Sequence, residues 1–393
     1  MRADRNGTGM KNAGRPMTER DGTPSLSRTD TSRQATGEWP QTAAGPRNTG
    51  FVKTDGPKTG SRLWKHPYQY SRDTAPVVSG GRVYVAHGKQ VKALDVASGE
   101  VGWTMTLGDS EVAPAPPAAV VDGLVLVRTG TTLYALASGD GTVSWEYDLP
   151  GEQLALTAAG GTLYVWTGTN TRSVIAVLDA GTGEQQARFR TPAGWGQHAV
   201  VDGTIYAGFR DSIQALDAAD GTRQWKYGLP PADADEAEFF GRTAVAGGRV
   251  HMADTAGRLH TLSTDGAPKW RYETEPEPRA GSVPAVANGT VYAGFFDNKV
   301  RAFDAETGEE EWAFWGWSIQ TGAPAVANET VYIGGWDDMV YALDRSTGKR
   351  RWEVSLPRNV GGAAVTDGQV YIGHKSSSEP GWLYALGNRD ESR

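Results

Sequence analysis

The chain is expected to be all-β: an eight-bladed β-propeller of four-stranded antiparallel blades, its ring closed by the N-terminal strand completing the last blade. Three observations predict this. A Gly-x-aliphatic-Tyr unit returns eight times, with 38 to 45 residues from one copy to the next. Each copy contains four short β-rich segments separated by turn residues, the blade arithmetic of a propeller. The last copy lacks its fourth segment, and a matching segment stands at the other end of the body.

The second strand of each blade is marked by the recurring unit. Its fourth residue is Tyr84, Leu126, Tyr164, Tyr206, His251, Tyr292, Tyr332 and Tyr371 in turn. The preceding dipeptides Asp202-Gly203, Asn288-Gly289 and Asp367-Gly368 are hairpin signals that join a short first strand to the second. Runs such as Val300-Arg301-Ala302-Phe303 give the third strand. An Asp-x3-Gly-x3-Trp stretch then turns the chain into the fourth. It occurs at Asp95/Gly99/Trp103, Asp217/Gly221/Trp225, Asp304/Gly308/Trp312 and Asp344/Gly348/Trp352. The Asp accepts backbone N–H bonds within the turn. The second copy keeps Gly141 and Trp145, with Ala137 for the Asp. The fifth keeps Gly266 and Trp270 and is one residue shorter. The third carries Ala187 where Trp is expected. Gly60-Ser61-Arg62-Leu63-Trp64 has the Gly-x3-Trp spacing missing after Leu383–Leu386, so the N-terminal strand is assigned to the eighth blade. Closure leaves no terminal blade edge exposed. The motif tryptophans Trp64, Trp103, Trp145, Trp225, Trp270, Trp312 and Trp352 are expected to pack blade against blade.

Domain boundaries follow from composition: a polar tail over 1–50, a linker over 51–60, the propeller over 61–387 and a short tail over 388–393. Residues 1–50 hold eight basic and five acidic side chains and almost no apolar ones, leaving the rest of the chain at −10. Such a segment cannot bury enough surface to offset its ordering entropy, so it is expected to be disordered. It reads as a solvated leader rather than an anion-binding arm. Its end, from Trp39-Pro40 to Asn48-Thr49-Gly50-Phe51, is expected to lie against the body.

Composition also narrows function. The 393 residues contain no cysteine, which excludes disulfides, thiolate chemistry and Cys-ligated metals. A net charge of −7 argues against a nucleic-acid surface. No apolar run is long enough for a transmembrane segment, and no signal-peptide core stands at the N-terminus. A soluble, cytoplasmic chain is therefore expected, working as a monomeric propeller.

The copies Ala302–Trp312 and Ala342–Trp352 resemble the tryptophan-docking repeat of the quinoprotein-type, PQQ-like β-propeller family, and the resemblance spans residues ~60 to 387. It implies one of two things. The family's dehydrogenases bind pyrroloquinoline quinone near the axis with calcium and an Asp base, often beside a disulfide of adjacent cysteines. Its compact eight-bladed branch is a non-enzymatic scaffold, and many members are exported. The absent cysteine and near-minimal repeats place this chain closer to the second branch, so no cofactor is expected, with quinone and calcium as the competing reading.

No phosphate loop, nucleophile elbow or His-Glu-x-x-His motif is present. His251 and His260 lie in strands and read as structural; His66, His87, His198 and His374 are scattered. The acidic run Asp233–Glu238 lacks the spacing of a calcium loop and reads as solvated. The remaining tryptophans carry more information. Trp195, Trp315 and Trp317 fall in connections from a fourth strand to the next first strand. Trp336 falls between a second and a third strand, and Trp166 and Trp382 border that kind of connection. Phe239, Phe240, Phe295 and Phe296 fall in the same loop classes, which emerge on one propeller face. That face is expected to be aromatic over blades four to seven, with Arg210, Arg279, Asp297, Asp337 and Asp338 as polar partners. Rings with Arg suit a protein hot spot, and rings with carboxylates suit a sugar or a quinone. The alternative is that the rings pack the channel mouth. The resulting expectation is a non-catalytic scaffold for a protein partner, with a quinone-dependent dehydrogenase and a carbohydrate-binding module as alternatives.

Overall fold

The computed structural model describes residues 38–39, 41, 44–68, 76–87, 89–107, 119–151, 153–169, 172–192, 198–229, 239, 242–273, 283–295, 297–316, 323–357, 360–374 and 381–389. All belong to one compact unit, Ser32–Arg393. Its described residues form eight four-stranded sheets and no helix. Each sheet is a blade, and strands follow one another outward from the axis in chain order. Blade six is typical, with Ala285–Ala287, Thr290–Phe295, Lys299–Asp304 and Glu310–Trp315 paired antiparallel in that order. The eighth blade combines Val360–Thr366, Gln369–His374 and Gly381–Gly387 with Ser61–Tyr68 as its outer strand. Lys65 faces Tyr384 in that last pairing, so the ring closes as its sequence predicts.

Burial falls outward, and composition follows it. The inner strand of blade six is buried throughout, whereas its outer strand buries Trp312 and exposes both neighbours. That alternation is the period-2 signature of a strand with one solvated face. The third and outer strands slip register at Ala302/Phe303, and the other blades repeat the irregularity at the equivalent point. A bulge there bends the outer strand just ahead of the motif tryptophan.

The tryptophans then lock each blade to the next. The indole N–H of Trp312, in blade six, donates to Arg345 O in blade seven at 2.9 Å. Trp64, Trp103, Trp145, Trp225 and Trp270 make the same bond to Val96, Ser138, Ala180, Thr264 and Ala305. The ring lies over the turn glycine of the receiving blade: a Cβ on Gly348 would come within 2.5 Å of Trp312 Cε3. Gly348 also has φ +68°, so two independent constraints select glycine. At closure the receiving turn belongs to the start of the propeller, with Trp352 bonded to Pro57 O and packed on Gly60. Blade three, which has Ala187, solves the problem differently. Phe189, two residues on and hence on the same strand face, fills the space over Gly221.

Within the segment from Trp39 to Phe51, the described residues 39, 41 and 44–51 lie against the body, as expected of it. Trp39, Ala44, Asn48 and Val52 are all buried.

Candidate functional site

In each blade the first-to-second and third-to-fourth turns share one end of the sheet. The second-to-third turns and the connections between blades share the other, which we call the loop face. Its residues differ sharply in depth. Trp315, at the end of the outer strand of blade six, is 56% exposed, and Trp336, in the second-to-third turn of blade seven, is 41% exposed. They are the only exposed large aromatics among the described residues.

The two described phenylalanines of the predicted face are not surface rings. Phe295 is buried against Tyr272, Phe303 and the guanidinium of Arg301. Phe239 is buried against Tyr227 and the edge of His260. Both anchor loop-face segments to the core. Trp166 is likewise buried, against His198 and Phe209. Trp382 is partly covered, with the Lys65 ammonium 4.2 Å from its ring centroid. Trp195, Trp317, Phe240, Phe296, Arg279 and the acidic run 233–238 lie outside the described residues.

The carboxylates are mostly committed internally. Asp297 binds Arg301, which also donates from Nε to Glu310 at 3.1 Å. Asp337 accepts the Tyr341 hydroxyl at 2.7 Å. Asp254 accepts Arg258 Nε at 2.6 Å and lies 2.8 Å from His260 Nε2. In all three blades the partner stands four residues on, across the turn into the third strand. The signal Asp-x3-Arg or Asp-x3-Tyr was available in the sequence, and it explains why Asp297 and Asp337 tie the turns down. Arg210 is exposed and Asp338 half-buried on the same face.

Asp254, Arg258 and His260 form the one buried ionic cluster of that kind among the described residues, with side chains at most 4% exposed. Burial opposes the Asp254 charge, but hydrogen bonds from His260 and Arg258 outweigh it and hold the carboxyl below its ordinary value. The other buried histidines are neutral at pH 7. Burial pushes His198 down to about 4, and burial plus the Arg249 charge pushes His251 down to about 3. His251 replaces the strand tyrosine and takes over its packing, 6.1 Å from the Trp270 ring, while its Nδ1 pairs with Thr261 Oγ1. The histidines therefore serve structure, and no group of three or more His, Asp or Glu side chains among the described residues could hold a metal ion.

Comparison with known proteins fits this arrangement. The chain is 27% identical over 277 residues to outer membrane protein assembly factor BamB of Yersinia pestis, covering 62% of this chain and 67% of that protein. It is 30% identical over 299 residues to serine/threonine-protein kinase AfsK of Streptomyces coelicolor, covering 60% of this chain and only 34% of the kinase. Among solved structures, quinohemoprotein alcohol dehydrogenase from Comamonas testosteroni superposes with TM-score 0.70 over 91% of this chain and 82% of the enzyme, at 16% identity. That identity speaks to fold alone. No helix among the described residues is long and apolar enough to cross a membrane. Overlapping matches to one family model run from residue 48 to residue 379. The chain belongs to the PQQ-like β-propeller repeat family described as outer membrane protein assembly factor BamB.

Proposed function

We propose that this chain is a non-catalytic binding scaffold that engages a protein partner through its loop face. The exposure of Trp315 and Trp336 carries the reading, because the other large aromatics described on that face are covered. An exposed indole is costly to leave in water and is the residue most enriched in binding hot spots. The name of the Yersinia relative, outer membrane protein assembly factor, supports a protein as the ligand. The same name speaks for a place at the cell envelope, and the cytoplasmic expectation gains no support from it. A single closed ring needs no second copy to complete its blades.

The quinone reading requires an axial slot and carboxylates free to hold calcium. Among the described residues, Asp254, Asp297 and Asp337 are already bonded to basic or phenolic partners. The inner-strand amides of blades four to seven are bonded to residues 46–50 of the chain itself. These residues do not fit a calcium-bound quinone, which supports the scaffold over the dehydrogenase. Incubation with pyrroloquinoline quinone and calcium should leave no stoichiometric quinone absorbance after desalting. A retained chromophore would overturn the non-catalytic reading.

The direct test uses Trp315→Ala and Trp336→Ala. Both rings are exposed, so the melting temperature should stay within a few degrees of wild type. Capture of partner protein on the immobilised chain should fall at least about tenfold for each variant, the scale of one lost hot-spot ring. Full capture by both variants, or a loss of stability matching that of a motif tryptophan, would reject the role. Quenching of the wild-type tryptophan emission by oligosaccharides would favour the carbohydrate reading instead.

A further inference from the structure

The described residues of 38–57, namely 38, 39, 41 and 44–57, bond to the inner side of the blades, and their partners follow the blades in order. Trp39 exchanges both backbone bonds with Val78 in blade one. The Gln41 side chain pairs with both backbone groups of Ala158 in blade three. The carbonyls of Pro46, Arg47, Thr49 and Gly50 then accept the amides of Val200, Val245, Val286 and Val326, the inner strands of blades four, five, six and seven. Asp55 O accepts Gly368 N in blade eight. One short segment thus bonds to seven of the eight blades. Trp39 and Gln41, two positions apart, thus hold partners in blades one and three.

The fit is specific as well as long. Asn48 is buried with φ +53°, and its Nδ2 donates to His198 O at 2.8 Å and to Thr243 O at 3.3 Å, joining blades four and five. Gly50 has φ +60°, and a Cβ there would lie 2.9 Å from Pro324 O and 3.1 Å from Ala285 Cβ. It therefore touches blades six and seven at once, where no side chain fits. The bonded amides sit beside the first-to-second turns, and Glu38 accepts the amide of Gly80 in one of those turns. The described residues of the segment thus touch the inner strands from their first-to-second turns to the connections that precede them.

We propose that the inner-strand amides of blades one and four to seven form a binding site for an extended peptide, and that residues 38–57 are its ligand, held in cis. The physics is that of strand addition, in which backbone bonds supply affinity and a few side chains fix the register. Buried inner-edge amides without acceptors would each be costly, so the site requires an occupant.

Amide hydrogen exchange tests this without any partner, so it can fail while the scaffold reading stands. In the full chain, the amides of Val200, Val245, Val286 and Val326 should exchange slowly. Gly50→Val should speed exchange at these four by about 100-fold, leaving Val291 and Ala302 in the second and third strands of blade six unchanged. In the full-length Gly50→Val chain, an added synthetic peptide of residues 38–57 with the native Gly50 should restore slow exchange saturably, and the same peptide with Asn48→Ala should do so more weakly. Fast exchange in the wild-type chain, or unchanged exchange in Gly50→Val, would overturn the proposal.

Discussion

Replacing Trp312 with alanine is expected to lower the unfolding free energy by about 3–5 kcal/mol, the usual cost of deleting a large buried ring. The indole is only 8% exposed, packs 5.8 Å from the Tyr292 ring and donates to Arg345 O. Truncation empties the space over Gly348 and deprives that carbonyl of its donor. The effect should be transmitted across the interface, because Trp312 and Gly348 belong to different blades. Gly348→Ala approaches the same contact from the other side. It adds a methyl 2.5 Å from the ring and strains a residue with φ +68°. In the Trp312→Ala background the collision disappears and only the backbone strain remains, so the two losses should be less than additive. Denaturant unfolding of the four members of that cycle measures the coupling. An unchanged melt for Trp312→Ala, or strict additivity, would contradict the packing role.

Such a lock is legible in sequence because each blade repeats the same local solution. The turn Asp, the glycine under the ring and the tryptophan keep fixed spacing, so the period, the blade count and the closing strand around Trp64 all follow from one pattern. The pattern fails where the same volume is filled from elsewhere. Blade three moves its ring from position 187 to Phe189, which preserves strand parity and changes spacing. The segment of residues 38–57 has no periodicity at all. Its affinity comes from carbonyls that every residue owns, so its polar composition reads as tail. On the loop face, loop class says nothing of depth. Whether Phe239 is covered depends on Tyr227 and His260, which come from different blades. Trp315 and Trp336 remain exposed on the same face.

The buried cluster in blade five should be the other site of large effect. Asp254→Ala is expected to cost about 3–5 kcal/mol, the range for removing one partner of a buried ion pair. The carboxylate accepts from Arg258 Nε and the backbone N–H groups of Ala256 and Arg258, and lies against His260. Its loss leaves a guanidinium charge buried with its counter-ion gone and two turn amides without their acceptor. Asp254→Asn keeps the shape and one acceptor oxygen, so it should cost less. The pH dependence separates charge from shape. The folded carboxyl lies below its ordinary value, so its stabilisation is complete above about pH 4 and fades as the pH falls through the lower folded value. The stability gap between wild type and Asp254→Asn should therefore narrow as the pH falls into strong acid. A gap that stays constant into strong acid would mean that shape, rather than charge, holds the turn. The local consequence reaches the loop face, because Phe239 bridges to Asp254 and packs on His260. Exchange at the Phe239 amide should rise in Asp254→Ala before the blades themselves open, showing that this cluster fixes the connection between blades four and five.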